Sequence, residues 1–283
     1  MMNNKEEKKT NIFIKIFKYL ILIGFALLLY SHFLGTKGLL IREYAIKNDK
    51  IPTSFEGLKI VHFTDLHYGT TIHKKEVENL VNKINELKPD LVVFTGDLLD
   101  DRIILSDEQV NDLITSLNKI DATINKYIIS GNHDTHKAYQ TILEKIDFKN
   151  LDNANDLIYY KGNTPILLVG LADSLKFVSK PEEAFNLEEN DYYTILLTHE
   201  PDDVDKLTNY KFDLVLSGHS HNGQIRLPFI GKIYTPEGSK KYYDEKYELN
   251  GYDMYISGGL GTSTMPFRFM VKPSFNFYRL YQN

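Results

Sequence analysis

Leu91-Val92-Val93-Phe94-Thr95-Gly96-Asp97 is the stretch on which the fold turns. Five apolar or β-branched residues follow one another without polar alternation, and the run is bounded by Pro89 before it and Gly96 after it. Such a run fits a strand buried on both faces, as in the parallel sheets of α/β proteins. It ends in a turn that leaves the carboxylate of Asp97 exposed beyond the strand.

The same pattern, a buried strand that ends in a polar cluster, recurs on both sides. Lys59 to Thr64 reads as a strand followed by Asp65-Leu66-His67, and Lys74 to Leu87 reads as an amphipathic helix stopped by Pro89. Downstream, a helix over Asp107 to Ile120 leads to a strand over Tyr127 to Ser130, then to Gly131-Asn132-His133-Asp134 and a helix from about His136 to Ile146. Further strands are expected at Ile166 to Val169, at Thr194 to Thr198 before His199, and at Leu214 to Ser217 before Gly218-His219-Ser220-His221. The tail from Asp253 to Tyr281 reads as all-β, and the charged stretch from Ser174 to Asp191 as a solvated loop or short helix. Helices alternating with buried strands, then mostly strands, predict an α/β fold: a four-layer α/β/β/α sandwich of two packed sheets with helices outside. In such sheets functional groups collect at the carboxyl ends of the strands, where all five polar clusters fall.

Composition narrows the chemistry. A chain of 283 residues with 42% hydrophobic content buries a full core, and the absence of cysteine excludes disulfides, thiolate metal sites and thiol nucleophiles. Any metal must therefore be held by His, Asp, Glu or Asn. From Ile12 to Leu34 the chain is apolar apart from Lys15, Lys18 and a few weakly polar positions. At about 1.5 Å per residue this segment spans a hydrocarbon core of about 30 Å, with the lysines reaching the interface. The residues after it offer no small-x-small cleavage site, which favours an uncleaved anchor over a signal peptide. Residues 1 to 18 hold five lysines against two glutamates, a net of +3 that leaves −8 for the rest of a chain totalling −5. The positive end is expected in the cytoplasm and the globular part outside. The expected organisation is a cytoplasmic tail over 1–11, a transmembrane anchor over 12–34, a linker over 35–57 and a catalytic domain over 58–283. An acidic outer part argues against nucleic acid as a partner.

The five clusters supply what a two-metal site needs. Two divalent ions about 3.5 to 4 Å apart clamp the attacking and leaving oxygens of a phosphoryl displacement, with one ligand bridging. Asp65 and His67 stand two apart, so on an extended strand end they point to the same side and grip one ion together. Asp97 is the natural bridge because a carboxylate has two oxygens to share. Asn132 offers a neutral amide oxygen, while His133 beside it points away from the metals and can give a proton to the leaving oxygen. Asp134 either holds that imidazole in its donor tautomer or caps a helix. His199, His219 and His221 complete the nitrogen set, the last two again on one side of an extended segment. Arg268, after the glycine-rich Gly258-Gly259-Leu260-Gly261, is a candidate for a phosphate oxygen; Arg226 is a weaker one. Phe229, Phe267 and Phe269 either line an apolar entrance or pack in the core.

Together the clusters resemble the signature of the calcineurin-like metallophosphoesterases: D-x-H, GD-x-x-D, GNH-D/E, H and GH-x-H, all present here in order. The resemblance implies that Asp65, His67, Asp97 and His221 bind one ion and that Asp97, Asn132, His199 and His219 bind the other. His133 then faces the leaving group and Asp100 supports a ligand. The stretch Gly218 to Pro228 and the tail around Gly258 to Arg268 are similar to the membrane-tethered bacterial branch of YkuE and YaeI type. Asn222, where that branch usually has glycine, and Lys272-Pro273-Ser274-Phe275 depart from it, and both bear on pocket shape.

The expected activity is metal-dependent hydrolysis of a phosphoric ester by a metal-bridging hydroxide, with manganese, iron or zinc as the two ions. The tether favours a lipid-linked phosphoester or pyrophosphate. The alternatives are a catalytically silent membrane-anchored binding protein, which requires a missing ligand, and a soluble-substrate phosphatase or nuclease, the latter requiring a basic groove.

Overall fold

The computed structural model describes residues 3–187 and 191–283. In chain order the helices are α1 (Asn3–Leu29), α2 (Lys74–Leu87), α3 (Asp107–Leu117), α4 (Lys137–Leu143) and α5 (Pro181–Ala184). The strands are β1 (Leu40–Lys47), β2 (Lys59–Phe63), β3 (Leu91–Thr95), β4 (Asn125–Ile129), β5 (Lys149–Asn150), β6 (Ala154–Ile158) and β7 (Ile166–Gly170). They continue with β8 (Thr194–Leu197), β9 (Leu214–Ser217), β10 (Arg226–Leu227), β11 (Gly231–Lys232), β12 (Lys246–Leu249), β13 (Tyr252–Ile256) and β14 (Ser274–Tyr281).

Two six-stranded mixed sheets, β1-β14-β2-β3-β4-β5 and β12-β13-β9-β8-β7-β6, pack face to face. Because side chains alternate along a strand, each strand feeds two cores. Val61, Phe63, Val92, Phe94 and Ile128 point to the layer of α2, α3 and α4. Their neighbours Ile60, Leu91, Val93, Tyr127 and Ile129 meet Leu168, Ile195, Leu197, Leu214 and Leu216 of the second sheet. With both faces buried, β3 is apolar from Leu91 to Phe94, and its one polar residue, Thr95, is the last and has hydrogen-bond partners. The outer face of the second sheet, through Val169, Leu196, Val215 and Met254, is covered by Ala184 of α5, the 3-10 turn Pro201–Lys206 and neighbouring aromatics. The fourth layer is therefore thinner than the first. Within the stretch Ser174 to Asp191, α5 is the short helix; residues 188–190 lie outside the described residues.

Two expectations are corrected. The segment 35–57 is not a plain linker: Leu40 to Lys47 forms β1, paired in parallel with β14 over eight positions from Leu40↔Ser274 to Lys47↔Tyr281. Only Ile46 in it is fully buried, so an edge strand of this kind carries almost no apolar pattern to read. The tail is not continuous β structure either. Between β13 and β14, residues 257–273 form an irregular loop, and that loop carries the glycines and Arg268.

The helical segment Ile12–Leu34 is long and apolar enough to cross a membrane; its most apolar 18-residue stretch is not buried against the protein, whereas Ser31 near its end is. Its last turn is a π-helix, Tyr30–Leu34, that docks on the 257–273 loop: the Arg268 N–H donates to the Ser31 carbonyl at 3.0 Å.

Candidate metal centre

The strands that end near one another bring the five clusters together. β2, β3 and β4 are mutually parallel in the first sheet, as are β7, β8, β9 and β13 in the second. The carboxyl ends of both sets open on one edge of the sandwich, with Asp65, Asp97 and Asn132 from the first sheet facing His199, His219 and His221 from the second.

Asp97 lies between two groups of nitrogens. Its Oδ2 is 3.5 Å from His67 Nε2 and 3.2 Å from His199 Nε2, while its Oδ1 accepts the His133 backbone N–H at 2.8 Å. A single oxygen, not two, therefore faces both sides. On the first side, His221 Nε2 is 3.3 Å from Asp65 Oδ1 and 3.2 Å from His67 Nε2. On the second, His219 Nδ1 is 3.2 Å from His199 Nε2. Asp65, His67 and His221 form one compact set of ligand atoms, and Asp97, His199 and His219 another.

The backbone supplies the ring orientations. A carbonyl can only accept, so His199 Nδ1–H donates to Thr95 O at 2.6 Å and His219 Nε2–H donates to Glu237 O at 2.6 Å. Each donation turns the opposite nitrogen towards the cluster, the arrangement that orients metal-binding histidines. Asn132 adds a buried amide Oδ1 that has no hydrogen-bond partner among the described residues. An unpaired buried acceptor next to two sets of carboxylate and imidazole ligands fits a pair of hard or borderline cations.

Asp65, His67, Asp97, His219 and His221 all have positive φ, between 42° and 65°. The expected extended geometry for the D-x-H and H-x-H pairs is thus replaced by left-handed turns that curl each pair round one point. Residues with a Cβ sit in this region at a cost of about 1 to 3 kcal/mol each, and such strain clusters where function requires a geometry. Gly96 makes the turn possible: its φ is 94°, and a Cβ there would lie 2.5 Å from His199 Nδ1. Asn222, at φ 48°, occupies a left-handed position that favours glycine; asparagine is among the residues that adopt it most readily.

Charge is balanced within the cluster. Burial works against the charge on Asp97, yet His199 and His67 beside it hold its carboxyl well below the usual range. Burial likewise opposes a charged His199, but the Asp97 carboxylate keeps the imidazole well above the ordinary histidine value. A cation entering here competes with that proton. Asp100 faces His67 Nδ1 at 3.4 Å and is itself gripped by Arg102 at 2.5 and 2.7 Å.

Two candidate residues have other partners than expected. Asp134 does not touch the His133 ring; its carboxylate accepts the backbone N–H groups of Asp97, Leu99 and Gly131 at 2.9 to 3.0 Å, and so ties the β3 and β4 loops together. Burial first, and then the Asp97 charge, push its pKa up to about 8. The partner of His133 is Asp101, whose Oδ1 lies 2.6 Å from His133 Nδ1. Asp101 follows directly on the GD-x-x-D signature, and no pattern in the sequence separates it from an ordinary loop carboxylate. Arg268 is fully buried and faces no open space. Its Nε and Nη2 donate to the carbonyls of Gly258, Gly259 and Gly261, and Nη2 lies 3.1 Å from His221 Nδ1, so it braces the loop behind a histidine of the cluster. Arg226 is paired with Asp244 at 2.6 Å. His62 sits inside the sandwich, 2.8 Å from Thr95 Oγ1, and His32 Nδ1–H donates to the Pro266 carbonyl at 2.8 Å.

Two mixed sheets in an α/β sandwich, with a shared carboxylate between two histidine-rich sets at their carboxyl edge, define a metal-dependent phosphoester hydrolase. Residues 58–223 match the calcineurin-like phosphoesterase family, and the chain belongs to it. It is 36% identical over 268 residues to the uncharacterized metallophosphoesterase YkuE of Bacillus subtilis, covering 91% of this chain and 89% of that one. A Helicobacter pylori metallophosphoesterase is 29% identical, with 98% and 73% covered. The UDP-2,3-diacylglucosamine pyrophosphatase LpxG of Chlamydia muridarum is 27% identical, with 75% and 81% covered.

Proposed function

We propose that this chain is a membrane-anchored phosphodiesterase or pyrophosphatase acting on a lipid or lipid-linked substrate. In this reading Asp65, His67, Asp97 and His221 hold one divalent ion, and Asp97, Asn132, His199 and His219 the other. The observation that carries the assignment is the position of Asp97 Oδ2 between His67 and His199. When bound, the ions supply Lewis acidity for water and for the phosphoryl oxygens.

The protein's own part is positioning and proton transfer. His133, partly exposed at the rim with its ring 4.9 Å from that of His67, is the group that protonates the departing oxygen. Asp101 accepts from its Nδ1 at 2.6 Å, which fixes the ring and leaves Nε2 as the nitrogen free to meet the leaving oxygen. Asp134 and Gly96 hold the loops that carry Asp97 and His199, and Arg268 holds the loop behind His221. Manganese, iron and zinc all suit this nitrogen and oxygen set.

Two features support a lipid-bearing substrate: the apolar helix docked beside the site, and the relative whose name is that of a diacylglucosamine nucleotide pyrophosphatase. With the positive residues cytoplasmic, the catalytic part lies on the outer face. The test is the full-length protein, stripped of metal and reloaded with manganese, zinc or iron, assayed on paired aryl phosphomonoesters and phosphodiesters with Asp97→Ala as control. Metal-dependent diester cleavage that Asp97→Ala abolishes is the expected result. Turnover that survives metal removal or the substitution overturns the assignment.

A further inference from the structure

Among the described residues, eleven large apolar side chains outside the Ile12–Leu34 helix are exposed, and seven of them lie on residues 227–234 and 265–270. The first group is the hairpin of β10 and β11, whose tip carries Phe229 and Ile230, both open to solvent. The second is the loop to which the helix is bonded. An apolar patch so concentrated marks a surface made for an apolar partner.

The position of the helix says which partner. Leu227, Met265 and Phe267 line a cleft together with Gly24, Leu27 and Leu28 of the helix, and the rings of Tyr30 and Phe269 meet edge to face at 6.0 Å. Gly24 lies ten residues inside the apolar span from Leu34, about 15 Å along a helix axis. If the helix crosses a bilayer, the hairpin beside Gly24 cannot remain in water. A second cleft, of about 370 Å³, then runs from His221 of the metal cluster past Gln224 and Ile225 to Ile233, Tyr234 and Met265. Its outer end is in the apolar patch and its inner end at a candidate ligand.

We propose that the β10–β11 hairpin and the 265–270 loop are seated in the bilayer beside the helix, and that the cleft ending at His221 receives the hydrocarbon chain of the substrate directly from the membrane. This rests on the hydrolase reading above for the substrate, but the seating itself does not depend on catalysis. Lys232, on the hairpin, and Tyr234 are suited to the lipid–water boundary.

The absence of native cysteine makes the test direct. In the full-length protein, Phe229→Cys and, as reference, Tyr159→Cys are labelled with an environment-sensitive fluorophore and reconstituted in phosphatidylethanolamine–phosphatidylglycerol vesicles containing spin-labelled lipid. Tyr159 is exposed beyond β6, opposite the amino end of β7 and so at the far edge of the sandwich. The label at 229 is expected to be blue-shifted and quenched by the lipid, and the label at 159 to be neither. In parallel, Phe229→Asp combined with Ile230→Asp is expected to slow hydrolysis of a hexadecyl nitrophenyl phosphodiester in those vesicles about tenfold or more, given the apolar burial lost, and to leave the methyl ester unchanged. Equal, unquenched labels with metal-dependent methyl ester cleavage intact overturn the seating and leave the hydrolase reading standing. Quenching at 229 with neither ester cleaved supports the seating and overturns the substrate reading. Quenching at 229 with both esters cleaved equally by the double variant overturns the cleft as the route.

Discussion

The carboxylate of Asp101 lies 2.6 Å from Nδ1 of His133, a contact that joins the loop after β3 to the loop after β4 at the rim of the metal cluster. Proton donation by the opposite nitrogen needs this imidazole held in place, and the contact with Asp101 holds it. General acids of this kind contribute about 100- to 10,000-fold.

His133→Ala is therefore expected to retain both metal ions and to lose about 100-fold or more on alkyl esters. The loss should be far smaller on nitrophenyl esters, whose leaving group needs no proton. Asp101→Asn should show the same leaving-group dependence at smaller amplitude, whereas Asp134→Asn should instead lower stability. Linear free-energy plots of rate against leaving-group pKa separate the three; an unchanged slope in His133→Ala removes it from the proton transfer.

Gly96→Ala is expected to cost more than a surface change of the same size. Its φ of 94° is unfavourable for alanine, and the added methyl would meet His199 Nδ1 at 2.5 Å and the Gly131 backbone at 2.8 Å. The hydrogen bond from His199 to Thr95 then breaks, so metal affinity should fall along with a stability loss of about 1 to 3 kcal/mol. Denaturant titration and metal content measured on the same sample check this pairing.

Arg268→Ala tests bracing against phosphate binding. Of the three carbonyls this buried guanidinium serves, Gly259 also accepts the Ser274 N–H, so its removal strips the partner from those of Gly258 and Gly261, at a cost of about 1 to 3 kcal/mol for each buried group left without one. The expected outcome is a large fall in thermal midpoint. A rise in KM with stability unchanged would show Arg268 reaching substrate.

His62 sets an acid limit on stability. Burial lowers its pKa from 6.5 to about 3, so below 6.5 the unfolded chain takes up a proton that the folded chain refuses. Its neutral burial is without penalty above about 6.5, and stability falls by about 1.4 kcal/mol per pH unit as the pH drops from there towards 3. Chemical denaturation between pH 7 and 4 should show a shallower decline for His62→Gln than for the parent. Parallel slopes would remove His62 as a cause.

The parts of this molecule that were legible in the sequence are those in which one local pattern has one physical cause. β2, β3 and β4 are buried on both faces, so their apolar runs stand out, and the clusters after them are short enough to survive as motifs. β1 is legible only through its partner β14, because an edge strand with one buried residue has no periodic signature. Asp101 and Arg268 show the other limit. Which carboxylate meets His133 and whether an arginine faces solvent depend on how separate loops pack, and neither Asp134 beside His133 nor the glycines before Arg268 disclosed it. The left-handed turns at Asp65, His67, His219 and His221 were hidden for the same reason: spacing two apart suits an extended strand and a tight curl equally.

The shared oxygen of Asp97 is best examined by loading the full-length protein with manganese and recording metal content and low-temperature electron paramagnetic resonance together, for the parent and for Asp97→Ala. Two ions per chain with the exchange-coupled spectrum of a bridged pair, both lost in Asp97→Ala, is the result we expect. One ion per chain, or two uncoupled ions with diester hydrolysis undiminished, would mean that Asp97 does not bridge and that the site is not a dinuclear centre.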